Sequence, residues 1–79
     1  MREIISALDI GSSTVKLVVG EIFKDELNVL AVSEVKSSGV KKGIIVNPEE
    51  TLISLKEVFS RCERMLDIKI KKVLLIIPS

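Results

Sequence analysis

Three runs of apolar residues, separated by short polar breaks, fill the first half of the chain. The run from Glu3 to Asp9 is almost continuously apolar, a pattern typical of a strand that is covered on both faces. In the next two runs, Thr14 to Ile22 and Leu27 to Lys36, apolar residues alternate with more polar neighbours, as they do along strands. Because the breaks are too short for a crossover between parallel strands, the pattern predicts a three-strand antiparallel meander.

The second half of the chain begins with a loop and a strong helix start. The loop from Ser37 to Gly43 is rich in glycine and lysine. After it, Asn47 suits an N-cap, Pro48 suits the first helical position, and the two following glutamates suit the positive end of the helix dipole. Apolar residues then recur at spacings of three and four, which predicts an amphipathic helix over residues 48–66. Its predicted apolar stripe contains Leu52, Leu55, Phe59, Cys62 and Leu66, widened by Val58 and Met65.

A last apolar run, Val73 to Ile77, predicts a fourth strand that is buried and central, and Pro78 ends it. A strand reached through a helix is most simply parallel to one member of the meander, by a right-handed crossover. We place it beside the first strand, which gives an α/β fold with sheet order 3-2-1-4. One helix covers only one face of such a sheet, so about half of its apolar surface lacks a partner in this chain. The sequence therefore predicts a piece of a larger fold.

Composition and charge narrow the classes of function. A chain of 79 residues with 47% apolar and 3% aromatic content suits one small domain with an aliphatic core. The formal net charge of +1 provides no extended field to hold nucleic acid, so no nucleic-acid partner is expected. Histidine is absent, which excludes Ser-His-Asp and Cys-His nucleophiles, HExxH zinc sites and C2H2 fingers.

The cysteine content and the lengths of the apolar runs indicate a compartment. Cys62 has no second cysteine for an internal disulfide, and we expect it to be a small core residue. No basic segment followed by an apolar run forms a signal peptide, and the longest apolar run is far shorter than a membrane helix. These features predict a cytoplasmic location.

One segment of the chain combines residues that could carry chemistry: Asp9-Ile10-Gly11-Ser12-Ser13-Thr14-Val15-Lys16, between the first two predicted strands. Gly11 allows the backbone to approach a ligand closely. The amides of Ser12, Ser13 and Thr14 can point into one concavity, and the serine hydroxyls add further donors. Phosphate oxygens accept all of these hydrogen bonds, so the segment is a candidate phosphate-binding turn.

Two charged residues flank this turn. Lys16 could place a positive charge on phosphates, and Asp9 could orient the waters around a magnesium ion, which keeps much of its hydration shell. The segment lacks the GxxxxGK[ST] pattern of a Walker P-loop. An ordinary hairpin with turn-forming residues is the alternative interpretation.

The same segment resembles the first phosphate loop of the actin, Hsp70 and sugar-kinase superfamily, whose ribonuclease H-like fold also opens with three meander strands, a helix and a fourth strand. A second stretch, Ser37-Ser38-Gly39-Val40-Lys41-Lys42-Gly43-Ile44-Ile45-Val46-Asn47, resembles the FtsA family of bacterial cell-division proteins. So do the residues that follow it at Glu50, Ser54, Leu55, Glu63 and Met65. The resemblance covers nearly the whole chain. It implies that residues 1–79 are one partial domain, the N-terminal part of subdomain 1A of an actin-like fold.

The resemblance also implies roles for individual residues. It places Asp9 near the metal, Gly11, Ser12 and Ser13 at the phosphates, and Lys16 in contact with a phosphate. Thr14 completes the predicted cofactor-binding set. The implied cofactors of the complete protein are ATP and Mg²⁺, with slow ATP hydrolysis at most.

The resemblance further implies partners and a location for the complete protein. An FtsA-like protein self-assembles and tethers FtsZ filaments to the cytoplasmic face of the cell membrane at the division site. Its membrane contact is a C-terminal amphipathic helix, which lies beyond Ser79.

Two alternative functions share the same loop. A small-molecule kinase, such as a sugar or acetate kinase, would use it to bind ATP, but the chain offers no substrate-binding acid or base beyond Asp9. A PilM-like pilus assembly protein would share the loop but not the Gly-Val-Lys-Lys-Gly segment. Both alternatives keep the superfamily fold.

Overall fold

The computed structural model describes residues 3–76, which form a four-stranded sheet, a small hairpin and one helix packed on one face of the sheet. The elements in chain order are β1 (Glu3–Ile10), β2 (Thr14–Phe23), β3 (Glu26–Lys36), β4 (Val40–Lys41), β5 (Ile44–Ile45), α1 (Pro48–Leu66) and β6 (Leu74–Ile76). The sheet order is β3-β2-β1-β6, with the meander antiparallel and β6 parallel to β1. The predicted α/β class, helix bounds and sheet order are confirmed. Within residues 3–76, no helix has the length and apolarity needed to span a bilayer.

A change of register divides β3 into two halves. Counted from the β2–β3 turn, pairing is regular as far as Gly20 and Val29, and it resumes at Val19 and Ala31. Leu30 is skipped, so β3 carries one more residue than β2 at this point. Such a β-bulge bends the strand and increases its twist.

The bulge changes which side of the sheet the apolar residues of β3 occupy. In a regular strand, Leu27, Val29, Ala31 and Val35 would all lie on one face. In the structure Leu27 and Val29 are exposed on the face away from the helix, whereas Ala31 and Val35 are buried beneath it. The plain alternation expected along this strand is therefore wrong, because sequence periodicity does not reveal a skipped residue.

The fourth sheet strand differs from its prediction in extent and position. It was expected over Val73 to Ile77 as a buried, central strand. In the structure β6 begins at Leu74 and is described over Leu74–Ile76, and among the strands within residues 3–76 it lies at the edge of the sheet beside β1. Leu74 is 68% exposed. Ile77 and Pro78 lie outside the described residues. An apolar run indicates that a strand is suited to burial, and residues 3–76 provide no further strand beside β6.

The β4–β5 hairpin was predicted only as a glycine- and lysine-rich loop. Its strands pair over two residues each, too few to leave a periodic signal. The two turn residues, Lys42 and Gly43, have φ values of 50° and 75°. Two-residue turns with both central residues at positive φ match the twist of antiparallel strands, which explains the tight hairpin. The side chain of Val40 anchors it in the core.

The core lies between α1 and the sheet, and it is aliphatic as predicted. Its buried members are Leu8, Ile10, Val15, Leu17, Val19, Ala31, Val35, Val40, Val58 and Cys62. The helix is rotated relative to its predicted stripe: Thr51 and Ser54 are buried, and Leu52 and Met65 are exposed. The physical reason is that both hydroxyls donate to backbone carbonyls of the preceding segment. Thr51 Oγ1 lies 3.1 Å from the Ser38 oxygen and Ser54 Oγ lies 3.4 Å from the Lys36 oxygen.

The helix N-terminus is capped as predicted. The Glu50 amide donates to Asn47 Oδ1 at 3.2 Å, and Pro48 occupies the first helical turn. Gly39 packs directly against this cap with φ of 80°, and a Cβ added there would lie 2.3 Å from the Asn47 carbonyl oxygen. Only glycine fits such a position. The cap and the loop before it therefore form one packed unit.

Replacing Asn47 by alanine removes the acceptor for the Glu50 amide. We expect Asn47→Ala to lower the free energy of unfolding by about 1 kcal/mol. Asn47→Asp keeps an acceptor oxygen at the same place and should remain close to wild type. Thermal unfolding followed by circular dichroism measures both. An alanine variant as stable as wild type, with its helix intact, would show that this cap is not the source of the stability.

The face of the sheet away from α1, here called the open face, is not covered by any element within residues 3–76. It carries apolar side chains from all four strands, including Ile5, Val18, Val29, Val32 and Leu74. Val29 is 61% exposed and Val32 is 51% exposed. An uncovered apolar face of this kind is typical of a sheet that packs against something else. Within the described residues, this is the half of the sheet that the sequence pattern predicts to be left without a partner.

Because the open face is apolar, the 79-residue chain alone should self-associate. We expect its sedimentation coefficient to rise with protein concentration. Val32→Lys places a charge on the open face and should reduce the association. Ile53→Lys, the matched control, places the same charge on an exposed apolar position of α1 and should not reduce it. A wild-type chain that stays monomeric at high micromolar concentration would contradict this prediction.

Candidate functional site

The site is the turn that joins β1 to β2. Strand pairing ends at Ile10 and Val15, and the Gly11 amide donates to the Thr14 carbonyl oxygen at 2.9 Å to close the turn. A Cβ added at Gly11 would lie 3.1 Å from that same oxygen. Glycine is therefore favoured here by space rather than by a positive φ. Ser12 lies at the exposed tip of the turn.

The turn presents hydrogen-bond donors to solvent. Among residues 3–76, the amides of Ser12 and Ser13 donate to no other group, and both side chains are exposed. The carbonyl of Ser13 accepts a hydrogen bond from the Ser37 amide at 2.9 Å. That bond ties the turn to the segment after β3. Amides and hydroxyls held on an anchored turn are suited to an anionic ligand.

Asp9 and Lys16 lie next to the turn and directly opposite each other on β1 and β2. Their neighbours Leu8 and Leu17 are buried beneath α1, so strand alternation puts both charged residues on the open face. Both are exposed. The structure thus brings together the two charged residues that the sequence singled out, a short distance along the sheet from the Ser12 and Ser13 donors.

Glu34 on β3 completes a row of three charged residues. It is the cross-strand partner of Lys16 on the side away from Asp9, and its Oε2 lies 3.5 Å from Lys16 Nζ. Both side chains are about half exposed, at 47% for Lys16 and 50% for Glu34. Sequence reasoning missed Glu34. The only signal was a carboxylate among the apolar residues near the end of β3, and its alignment with Lys16 depends on the skipped Leu30.

The donor set suits a nucleotide phosphate with a hydrated cation. Amides, hydroxyls and the Lys16 ammonium group all donate to phosphate oxygens. Within the described part of the chain, no three acidic or thiol side chains lie close enough to hold a metal ion directly. Asp9, which forms no ion pair among those residues, suits an outer-sphere contact through water instead.

Similar solved structures identify the fold. The ethanolamine utilization protein EutJ from Carboxydothermus hydrogenoformans aligns with a TM-score of 0.77 and 24% identity, over 96% of this chain and 27% of its own. A diol dehydratase-reactivating factor in its nucleotide-free form aligns with a TM-score of 0.70 and 17% identity, over 92% of this chain and 12% of its own. The Aquifex aeolicus member of the Ppx/GppA family gives a TM-score of 0.65 and 16% identity, over 95% of this chain and 26% of its own. The chain has the actin-like ATPase fold.

Curated sequences define the family within that class, although no family model matches the chain. The cell division protein FtsA of Bacillus subtilis is 41% identical over 73 residues, 92% of this chain and 17% of that protein. FtsA of Streptococcus pneumoniae is 44% identical over 74 residues, 94% of this chain and 16% of that protein. The chain belongs to the FtsA family of cell division proteins. It spans about a sixth of the length of these relatives.

Cys62, the one cysteine, lies in the core and away from the turn. It is fully buried, with Sγ 3.9 Å from the Leu17 carbonyl oxygen. Burial raises the pKa of its thiol, and the nearby Ser33 hydroxyl partly offsets that effect. The Ser33 hydroxyl is itself buried and forms no hydrogen bond of normal geometry within residues 3–76. The expectation of a small core residue is confirmed.

The reactivity of the Cys62 thiol tests whether this residue is buried in the core. Because the pKa of the thiol is higher in the folded than in the unfolded chain, the folded chain favours the neutral thiol. The stability that this preference adds is complete below the unfolded pKa and is lost as pH rises through the folded pKa. At mildly alkaline pH, iodoacetamide should therefore react only as fast as the core opens, and denaturant should restore full reactivity. Alkylation of the native chain at the rate of a free thiol would contradict this placement.

Proposed function

We propose that the chain is the N-terminal part of subdomain 1A of an FtsA-type protein, and that its β1–β2 turn contacts the phosphates of ATP. The observation that carries the proposal is the position of Asp9 and Lys16, opposite each other in the sheet, beside the Ser12 and Ser13 amides, which have no hydrogen-bond partner within residues 3–76. A positive charge, a cation-orienting carboxylate and backbone donors are the three elements that a nucleotide–magnesium complex needs from one side of its site. The membership of the chain in the FtsA family supports the same interpretation.

Each residue has a separate role in this proposal. Gly11 keeps the turn narrow, and the Ser12, Ser13 and Thr14 segment donates hydrogen bonds to phosphate oxygens. Lys16 neutralises phosphate charge. Asp9 holds Mg²⁺ through water, and the ion when bound screens the negative charge of the phosphates. The turn is an open surface, so the adenosine pocket and the opposing phosphate contacts must come from other parts of a complete protein.

At the level of the whole protein, we propose the role that the family name indicates. Two relatives of this chain are cell division proteins. In this proposal the complete protein self-assembles under the control of ATP and binds FtsZ filaments. It links these filaments to the cytoplasmic face of the cell membrane at the division site through a C-terminal amphipathic helix. ATP turnover, where it occurs, is slow.

Lys16→Ala tests the phosphate contact in a full-length FtsA-family protein that carries this segment. We expect the free energy of ATP binding to become less favourable by roughly 1.5 to 3 kcal/mol, the contribution of one charge-assisted hydrogen bond in a partly shielded site. The melting temperature should change little, because Lys16 is half exposed and makes one surface ion pair. Isothermal titration calorimetry and thermal unfolding measure the two quantities.

Asp9→Ala tests the cation contact in the same protein. Its loss of ATP affinity should be larger with magnesium present than with a chelator, whereas the loss for Lys16→Ala should be similar in both. The isolated 79-residue chain should bind ATP weakly or not at all, because one phosphate turn buries too little of the ligand. If both full-length variants bound magnesium-ATP as tightly as wild type, the nucleotide role of the turn would be refuted and only the fold would remain.

A further inference from the structure

Lys16 has two acidic residues directly across from it and forms an ion pair with one of them. In the sheet register its partner on β1 is Asp9 and its partner on β3 is Glu34. Directly opposed residues on neighbouring antiparallel strands have Cβ atoms about 4.5–5.5 Å apart, so either acid is within reach of the lysine side chain. The structure places Lys16 Nζ 3.5 Å from Glu34 Oε2, and within residues 3–76 Asp9 has no ion-pair partner.

This choice of partner matters for the proposed site. An ion pair between Lys16 and Asp9 would neutralise the carboxylate that is to hold hydrated magnesium, and it would occupy the ammonium group that is to meet the phosphates. The pair with Glu34 leaves the Asp9 carboxylate accessible. Because both members of the Lys16–Glu34 pair are about half exposed, the pair is weak, and Lys16 can exchange Glu34 for a more highly charged phosphate at little cost.

We propose that Glu34 is a positioning residue of the nucleotide site. Glu34 holds Lys16 away from Asp9 until a phosphate replaces Glu34 as the partner of Lys16. The Asp9 carboxylate therefore stays available to a hydrated divalent cation. The inference rests on the proposed function, since it assigns Glu34 a role toward the same cation and phosphates. Glu34 itself contacts neither group and acts through Lys16.

The test is a magnesium titration of ATP binding in a full-length FtsA-family protein that carries this segment. In Glu34→Gln, Asp9 is the carboxylate that remains directly across the sheet from Lys16. We therefore expect the magnesium concentration for half-maximal enhancement of ATP binding to rise about two- to fivefold, the range in which an exposed ion pair competes. ATP affinity in the presence of a chelator should change by less than about twofold, because one weak ion pair replaces another.

Three further variants isolate the cause. Glu34→Asp keeps the charge and should retain the wild-type magnesium midpoint. Glu57→Gln removes the same charge from an ion pair of similar exposure on α1, where Arg61 Nη2 lies 2.7 Å from Glu57 Oε1, and should also leave the midpoint unchanged. In a Lys16→Gln background, Glu34→Gln should have no additional effect, because the two residues act as one unit.

The possible failures are distinguishable. A wild-type protein that binds no ATP would overturn the proposed function and this inference together. A wild-type protein that binds ATP and responds to magnesium, with Glu34→Gln titrating like Glu57→Gln, would overturn the role of Glu34 alone. An equal shift of the midpoint with and without Lys16 would also overturn it, since Glu34 would then act on the cation by its own charge.

Discussion

The register between β1 and β2 is the constraint on which both the core and the candidate site depend. The pairing of Leu8 with Leu17 puts two large apolar side chains beneath α1, and the next pair along the ladder, Asp9 with Lys16, therefore lies on the opposite face. A slip of one residue would exchange the two faces and bury the charges. The short turn at Gly11 fixes this register. The burial of Leu8 and Leu17 thus determines where Asp9 and Lys16 lie.

The two faces of the sheet have different roles. The face beneath α1 is closed by aliphatic packing, and the helix adds hydrogen bonds from Thr51 and Ser54 to the backbone at the end of β3 and just after it. The same backbone segment anchors the candidate turn through the bond between Ser37 and Ser13. The open face combines exposed apolar residues with a charged row at one end. That combination suits a surface that is buried by further protein over most of its area and left accessible near the turn.

Much of this arrangement could be predicted from the sequence, because the strongest signals were local. The cap at Asn47, the amphipathic helix and the short meander connections each have a cause within a few residues, and together they fix the topology. The approach of Asp9 to Lys16 follows from the length of the turn. Glu34 could not be found in this way. Counted from the β2–β3 turn, regular pairing would put Ser33 opposite Lys16, and only the bulge at Leu30 brings Glu34 there. The position of a bulge depends on tertiary packing rather than on local pattern.

The pairing of β6 with β1 has a consequence for the order of folding. The meander and its turns join residues that are close in sequence, so they close at little cost in chain entropy. The β1–β6 ladder joins Ala7 to Leu74, and the Ser6 hydroxyl donates to the Lys72 carbonyl from an equally distant part of the chain. During synthesis, this side of β1 cannot pair with β6 until Leu74–Ile76 have been made. Within this sheet, the backbone groups of β1 beside Asp9 are therefore the last to gain a strand partner.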